Sequence, residues 1–298
     1  MKKNDLIYHV AALMVVAIWG STFVYTKLLL MHGLSAAMIF TLRFILAYVM
    51  LLAYSLTRKS FRLMADSVKD ELLMLGLGIS GGSLYFLTEN SAMNYTTTTN
   101  TSLIVCLCPL FATVLISAFY KSERLHGAQI VGTLMSAVGV VIVVLNGRFL
   151  LKLSPLGDAL AFAACLCWAV YSLLMIRASE RYDTIFTTRK VFAYGLISII
   201  PYYMIWPEWP DWEVVMQPEV LANLLFLGCV ASMLCFVVWN WVLKHIGAVT
   251  TTNYAYFNPV MTMLLAWALL SERITFYFIA GTALIFVGIY LINRQTEE

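Results

Sequence analysis

The 298-residue chain is 61% hydrophobic and 12% charged, with a formal net charge of +3. It is too apolar for a water-soluble domain, where charged residues run to about a quarter, so its solvent is lipid. The small net charge gives no reason to invoke nucleic acid, and with about 20 helical residues needed per crossing of a bilayer core, the length leaves little room for a soluble domain.

Apolar runs of spanning length occur at 8–30, 34–56, 72–93, 101–120, 128–145, 156–175, 184–206, 220–243, 250–270 and 276–292. They predict an all-α membrane protein with ten transmembrane helices. The first run follows Lys2 and Lys3 but exceeds a signal-peptide core, and no small-residue cleavage site ends it before Lys27, so it is read as a helix.

Helix 2 carries Arg43 near its middle, too far from either interface for easy snorkelling. It is expected to meet a carboxylate or exposed carbonyls inside the bundle, either as an architectural pair or to bind an anionic group. Helix 3 contains Gly76, Gly78, Gly81 and Gly82, which permit close helix approach. Tyr85 and Glu89 follow, spaced i,i+4 on one face. An ionisable group in an apolar run usually faces the bundle interior or a wet cavity, and a carboxylate beside an aromatic ring suits a cationic or amine-bearing solute. The alternative is that Glu89 lies close enough to the helix end to be solvated or salt-bridged. Thr96–Thr99 reads as a turn with helix-starting hydroxyls.

Pro109 in helix 4 and Pro259 in helix 9 each remove a backbone bond and free the carbonyl four residues earlier, at Val105 and Ala255. The resulting kinks serve as hinges or merely shape the bundle. Trp19 and Trp168, in spans 1 and 6, join Tyr171, Trp239, Asn240, Tyr254 and Asn258 as amphipathic groups at span depth. An apolar body with a few placed polar groups is the usual form of a small-molecule site. The expected substrate-binding set is therefore Glu89, Tyr85, Trp19, Trp168, Tyr171, Trp239, Asn240, Tyr254 and Asn258. Arg43 and Glu89 are the coupling or structural charges, and Pro109 and Pro259 the hinges.

Orientation follows from Lys and Arg. With the N-terminus inside, twelve basic residues fall in cytoplasmic segments and only Arg148, Lys152 and Arg273 outside, which puts both termini in the cytoplasm of a multi-pass inner-membrane protein. The 207–219 loop agrees, holding Glu208, Asp211, Glu213 and Glu219 with Trp209 and Trp212 and no basic residue. Arg189 and Lys190, near the cytoplasmic end of helix 7, are placed to reach headgroups.

The chain also repeats itself. Ser122-Glu123-Arg124, Gly132-Thr133 and Val138-Gly139 match Ser271-Glu272-Arg273, Gly281-Thr282 and Val287-Gly288 at a common offset of 149. Pro109 matches Pro259 and Asn90 matches Asn240 at 150, Trp19 matches Trp168 at 149, and Arg43 matches Arg189 at 146. This divides the chain into five-helix units at 1–147 and 155–293. Five spans per unit is odd, so the second copy crosses with opposite polarity. Inverted repeats place the substrate site near the midplane between the halves.

WGSTF at 19–23, an Arg early in helix 2, the helix-3/helix-4 link ending in Pro109, and Ser-Glu-Arg plus GT-x4-VG in each half together resemble the ten-helix EamA type of the drug/metabolite transporter superfamily. That resemblance implies a five-plus-five basket around a central cavity, exporting amino acids, metabolites or drugs without ATP; no P-loop signature is present. One departure matters. The small multidrug branch carries proton coupling on a Glu in the first helix, and helix 1 here has no acidic residue, so that mechanism does not transfer.

The chemistry-bearing residues otherwise argue against an enzyme. No GxSxG, paired intramembrane carboxylates or histidine cluster occurs. The six cysteines lie in apolar runs at spacings that fit neither CxxC nor an extracellular framework and read as packing residues. No metal or cofactor is expected. The expected partners are a small-molecule substrate and the bilayer, with protons as the candidate coupling ion. The expected function is a secondary transporter exporting an amino acid, amine or drug-like solute by alternating access, the alternative being a passive channel or facilitator without ion coupling.

Overall fold

The computed structural model describes residues 6–59, 61–120, 127–145, 154–270 and 275–294. These form ten helical rods. They are α1 (Leu6–Met31), α2 (Ala36–Leu56), α3 (Val68–Tyr95), α4 (Thr98–Val105 and Cys108–Phe119), α5 (Gly127–Leu145), α6 (Pro155–Arg181), α7 (Thr184–Ser198 and Ile200–Ile205), α8 (Pro218–Ile246), α9 (Ala248–Asn253, Tyr254–Phe257 and Asn258–Leu270) and α10 (Phe276–Arg294). A single helical turn, Trp212–Val215, lies between α7 and α8. Seven of the rods, the broken α4 among them, are long and apolar enough to cross a bilayer, and α10 adds the apolar stretch Phe276–Ile292.

Apolar side chains such as Met14, Val49, Val114, Leu134 and Phe286 point outward, whereas Thr26, Arg43, Asn90, Ser172 and Thr251 are buried. Lipid inverts the arrangement of a soluble protein, because polar groups must find partners inside the bundle. Side-chain oxygens start the helices. Ser35 accepts the Met38 N–H for α2, Thr97 that of Asn100 for α4, and Asp183 that of Ile185 for α7.

The kinks expected at the prolines are breaks. α4 stops at Val105 and resumes at Cys108, so Pro109 falls in the first turn of the second piece, where a missing N–H leaves no bond unmade. In α9 a 3₁₀ turn, Tyr254–Phe257, precedes Pro259, and the Ala255 carbonyl accepts the Asn258 N–H. α7 breaks similarly ahead of Pro201. Two further irregularities are paired. α3 and α8 each contain a π-helical stretch, Ile79–Ser83 and Phe226–Leu234, a feature frequent at functional sites.

Packing between the halves is reciprocal. α1 lies against α8 and α9 as α6 lies against α3 and α4, while α2 packs on α8 as α7 packs on α3. Glycines set the closest approaches. A Cβ on Gly139 would stand 2.7 Å from the Gly281 carbonyl oxygen, and one on Gly281 2.7 Å from that of Gly139. Gly132 and Gly288 oppose each other in the same way, so α5 and α10 meet along a seam that no side chain fits. The Ser-Glu-Arg segments at 122–124 and 271–273 lie outside the described residues.

Candidate substrate site

A cavity of about 50 Å³ lies between the halves. α1 contributes Trp19, Thr22 and Phe23, α2 Arg43, α3 Tyr85, Phe86 and Glu89, and α4 Val105 and Cys108. The second half supplies Trp168 from α6, Phe236 from α8, and Ala255 and Asn258 from α9. Val105 and Ala255, the residues four before the two prolines, thus both border the cavity.

The charged residues do not meet. Glu89 is 8% exposed, and the Tyr85 hydroxyl donates to its Oε1 at 2.8 Å. Arg43 is 2% exposed. Its Nε donates to Ser232 Oγ at 2.9 Å, and its guanidinium carbon sits 4.3 Å from the Phe86 ring centre. No guanidinium nitrogen of Arg43 comes within 4.0 Å of a carboxylate oxygen of Glu89. Glu89 borders the cavity beside Tyr85 rather than lying salt-bridged at a helix end, whereas Arg43 rests on a hydroxyl and a ring, not on the expected carboxylate or carbonyls.

Trp19 stands edge-on to Trp168 at 5.4 Å, its Nε1 donating to the Ala231 carbonyl at 2.9 Å. Tyr85 lies 5.2 Å from Trp168. Asn258 closes the α9 side, and its Oδ1 has no hydrogen-bond partner among the described residues.

Four of the nine expected binding residues do not line the cavity. Trp239 is fully buried behind Trp19, at 4.9 Å. The Tyr171 hydroxyl donates to Asn240 Oδ1 at 2.7 Å, and Asn240 Nδ2 to Thr188 Oγ1 at 3.0 Å, which makes these residues an internal polar strut between α6, α7 and α8. Tyr254 bonds the ring of His9 at 2.6 Å. The reason is depth. Tyr171, and Trp239 with Asn240, lie about one turn beyond Trp168 and Phe236 along their own helices, and that turn takes them out of the cavity. Thr22, Phe23, Cys108 and the pair Phe86–Phe236 were not anticipated. The last pair was legible, since these residues recur at the same 150-residue offset as Asn90 and Asn240.

Phe86 and Phe236 belong to a quartet with Phe44 and Phe192. Ring centres are separated by 5.3 Å for Phe44–Phe86 and 5.5 Å for its repeat equivalent, Phe192–Phe236. Across the halves, Phe44–Phe192 is 4.9 Å and Phe86–Phe236 is 6.3 Å. The quartet straddles the pseudo-twofold axis. At the end of the bundle where α2 joins α3 and α6 joins α7 opens a vestibule of about 440 Å³ lined by Arg58, Arg62, Arg181, Arg189 and Asp183 among others.

The register of the caps also corrects one equivalence. Ser35 and Asp183 cap α2 and α7 at an offset of 148, and Gly228 meets Leu46 as Gly78 meets Tyr194. Arg43 therefore corresponds to Val191, not to Arg189. Arg189 and Lys190 also turn inward, not toward headgroups, at 3% and 6% exposed. Arg189 donates to the Arg62 carbonyl and stacks 4.8 Å from Phe61, while Lys190 pairs with Glu71 at 2.8 Å.

A helical membrane protein with a cavity between two reciprocal halves is built as a transporter. The model of the EamA-like transporter family matches residues 6–145 and again 155–294, and the chain belongs to that family. It is 28% identical to an uncharacterized transporter of Archaeoglobus fulgidus, over 97% of this chain and 98% of that one. It is also 27% identical to a probable amino-acid metabolite efflux pump of Escherichia coli, over 98% and 95%, and 24% identical to a probable terminal-alkyne amino-acid exporter of Streptantibioticus cattleyicolor, over 76% and 74%. A solved crystal structure, 20% identical, shares the fold across the whole of both chains with a TM-score of 0.77.

Proposed function

We propose that the chain is a secondary exporter of small amino-acid-like metabolites that works by alternating access, with units 1–147 and 155–293 as its two moving halves. The observation that carries this reading is the placement of the cavity on one side of the phenylalanine quartet. Because the halves are reciprocal, the same contacts redrawn with the repeats exchanged would open the other side at similar energy, which is the requirement of alternating access. A passive channel needs a continuous path, and the quartet lies across it. The relatives named as amino-acid efflux proteins support export of an amino acid ahead of a drug or a simple amine.

The basic vestibule supports a cytoplasmic location for that end, and with it for both termini, in the inner membrane. Protons are the proposed coupling ion, and Glu89, the one carboxylate among the described cavity-lining residues, is the group to carry them. Purified protein in proteoliposomes tests the reading. Saturable flux of labelled amino acids, accelerated by unlabelled substrate on the opposite side, is expected. Flux that shows no counterflow would establish a channel instead, and absence of flux for all amino acids, amines and dyes tried would sink the transporter mechanism proposed.

A further inference from the structure

Arg43 and Glu89 present opposite charges to one cavity and, although close enough to act on each other electrostatically, make no direct ion pair. Buried ions are normally compensated, because an isolated charge in a low-dielectric interior costs several kcal/mol. Each of these two is instead held by neutral neighbours from its own surroundings. Ser232 of α8 and Phe86 of α3 hold the guanidinium, and Tyr85 orients the carboxylate.

The shared fold does not demand either charge. In the second repeat the position of Arg43 is Val191 and that of Glu89 is Trp239, although the surrounding phenylalanines, glycines and π-helical stretches are duplicated. Symmetry is broken at the two charged positions that face the cavity. A third feature points the same way: Asn258, 9% exposed, lines the cavity with an amide oxygen that has no partner among the described residues.

We propose that the cavity selects zwitterions, with a ligand carboxylate on Arg43 and a ligand ammonium shared by Glu89 and Asn258. A ligand of single charge satisfies one side and leaves the other ion buried without a direct ionic contact. A zwitterion closes both at once, and the guanidinium is the side chain best shaped to receive a carboxylate in two parallel bonds. The walls offered to the rest of the ligand are the rings of Trp19, Trp168 and Phe236, which favours an apolar or aromatic side chain. The inference rests on the transport reading for its biological meaning but not for its test.

The experiment is a thermal-stability titration of the full-length protein in nanodiscs at neutral pH, since a ligand that binds the folded state raises its apparent stability. Two series are compared: phenylalanine with phenethylamine and 3-phenylpropionate, and leucine with 3-methylbutylamine and 4-methylpentanoate. At least one amino acid is expected to bind, with both of its truncated partners roughly tenfold weaker or worse. Glu89→Gln should bring the amino acid down to the level of its acid, and Arg43→Gln down to the level of its amine. Should either variant fail to fold, the two series on the unaltered protein decide alone.

An amine or an acid that binds as tightly as its parent amino acid overturns the proposal, as does the absence of binding by both series. Flux measured in parallel separates the two readings. Counterflow of solutes regardless of their charge would leave the transporter standing and remove zwitterion selection. Zwitterion-selective binding without any flux would do the reverse.

Discussion

The rings of Phe44 and Phe192 lie 4.9 Å apart at 80°, and each stands nine residues beyond the side chain that caps its own helix, Ser35 or Asp183. One sequence position has been brought into contact with its own duplicate, which fixes where the pseudo-twofold axis passes. Both rings are fully buried, with Phe86 and Phe236 beside them. We expect this contact to bar a route from the central cavity, which Phe86 and Phe236 line, toward the arginine-lined vestibule.

Truncating either ring should open that route. Phe44→Ala and Phe192→Ala are each expected to cost on the order of 3 kcal/mol in stability, as a cavity replaces an aromatic ring. Each should also produce a leak of substrate down its gradient that counterflow no longer accelerates. Melting curves and proteoliposome efflux check both, and wild-type tightness in the two variants would remove the barrier role.

The glycine seam gives a sharper contrast. A methyl group at Gly139 has no space against the Gly281 backbone, whereas no atom of the described residues lies within 4 Å of a Cβ at Gly127 on the same helix. Gly139→Ala should destabilise the protein by roughly 1–3 kcal/mol through overpacking. Gly127→Ala should be neutral or slightly stabilising, since alanine is the better helix former. Equal effects in a denaturant titration would contradict the seam.

Lys190 and Glu71 form a largely enclosed ion pair at 2.8 Å, with the Tyr194 hydroxyl and the Ala65 N–H also on the carboxylate. Removing one partner leaves a charge with no counter-ion. Lys190→Met alone is expected to cost on the order of 3 kcal/mol, and Lys190→Met with Glu71→Leu distinctly less. A double-mutant cycle on thermal stability reads the coupling. Strictly additive losses would show that the pair contributes nothing of its own.

The prolines sit where α4 and α9 are already broken, beside Val105 and Ala255 at the cavity wall. Pro109→Ala combined with Pro259→Ala should let the pieces join into straighter helices. Slower exchange is expected, with ligand affinity closer to normal. Stopped-flow exchange alongside equilibrium binding tests this, and unchanged turnover would count against hinge motion at these sites.

Glu89 faces Tyr85 on its own helix and shares the cavity with Arg43 of α2 and Cys108 of α4. Acidification protonates the carboxylate and removes the charge offered to an ammonium group. Substrate binding should therefore weaken as pH falls, and Glu89→Gln should show the weak, acid-side behaviour at every pH. A Glu89→Gln protein whose binding keeps the wild-type pH profile would assign the proton to another group.

Much of this architecture was legible in the chain. Ten apolar runs became ten rods because bilayer thickness imposes a length on every spanning helix, and that constraint is local. The Gly132/Gly281 and Gly139/Gly288 matches were visible as a repeated spacing, as was the placement of Glu89 and Tyr85 on one face. All of these depend on residue type and on helical period alone.

What the chain did not disclose was depth and register. Tyr171 and Trp239 resemble Trp168 and Trp19 in type and periodicity, but lie about one turn outside the cavity, and a turn is invisible to composition. The repeat offset is 148 in α2 and α7 but 150 in α3 and α8, so a similarity of residue type matched Arg43 to Arg189 when its true counterpart is Val191. The sequence by itself determined how many helices cross, that they come in two copies, and which polar groups are costly enough to require a purpose. Only the tertiary structure decided which of those groups share a cavity and that Arg43 and Glu89 stay apart within it, because helix breaks and π-helical turns shift one helix against another by amounts that no local pattern records.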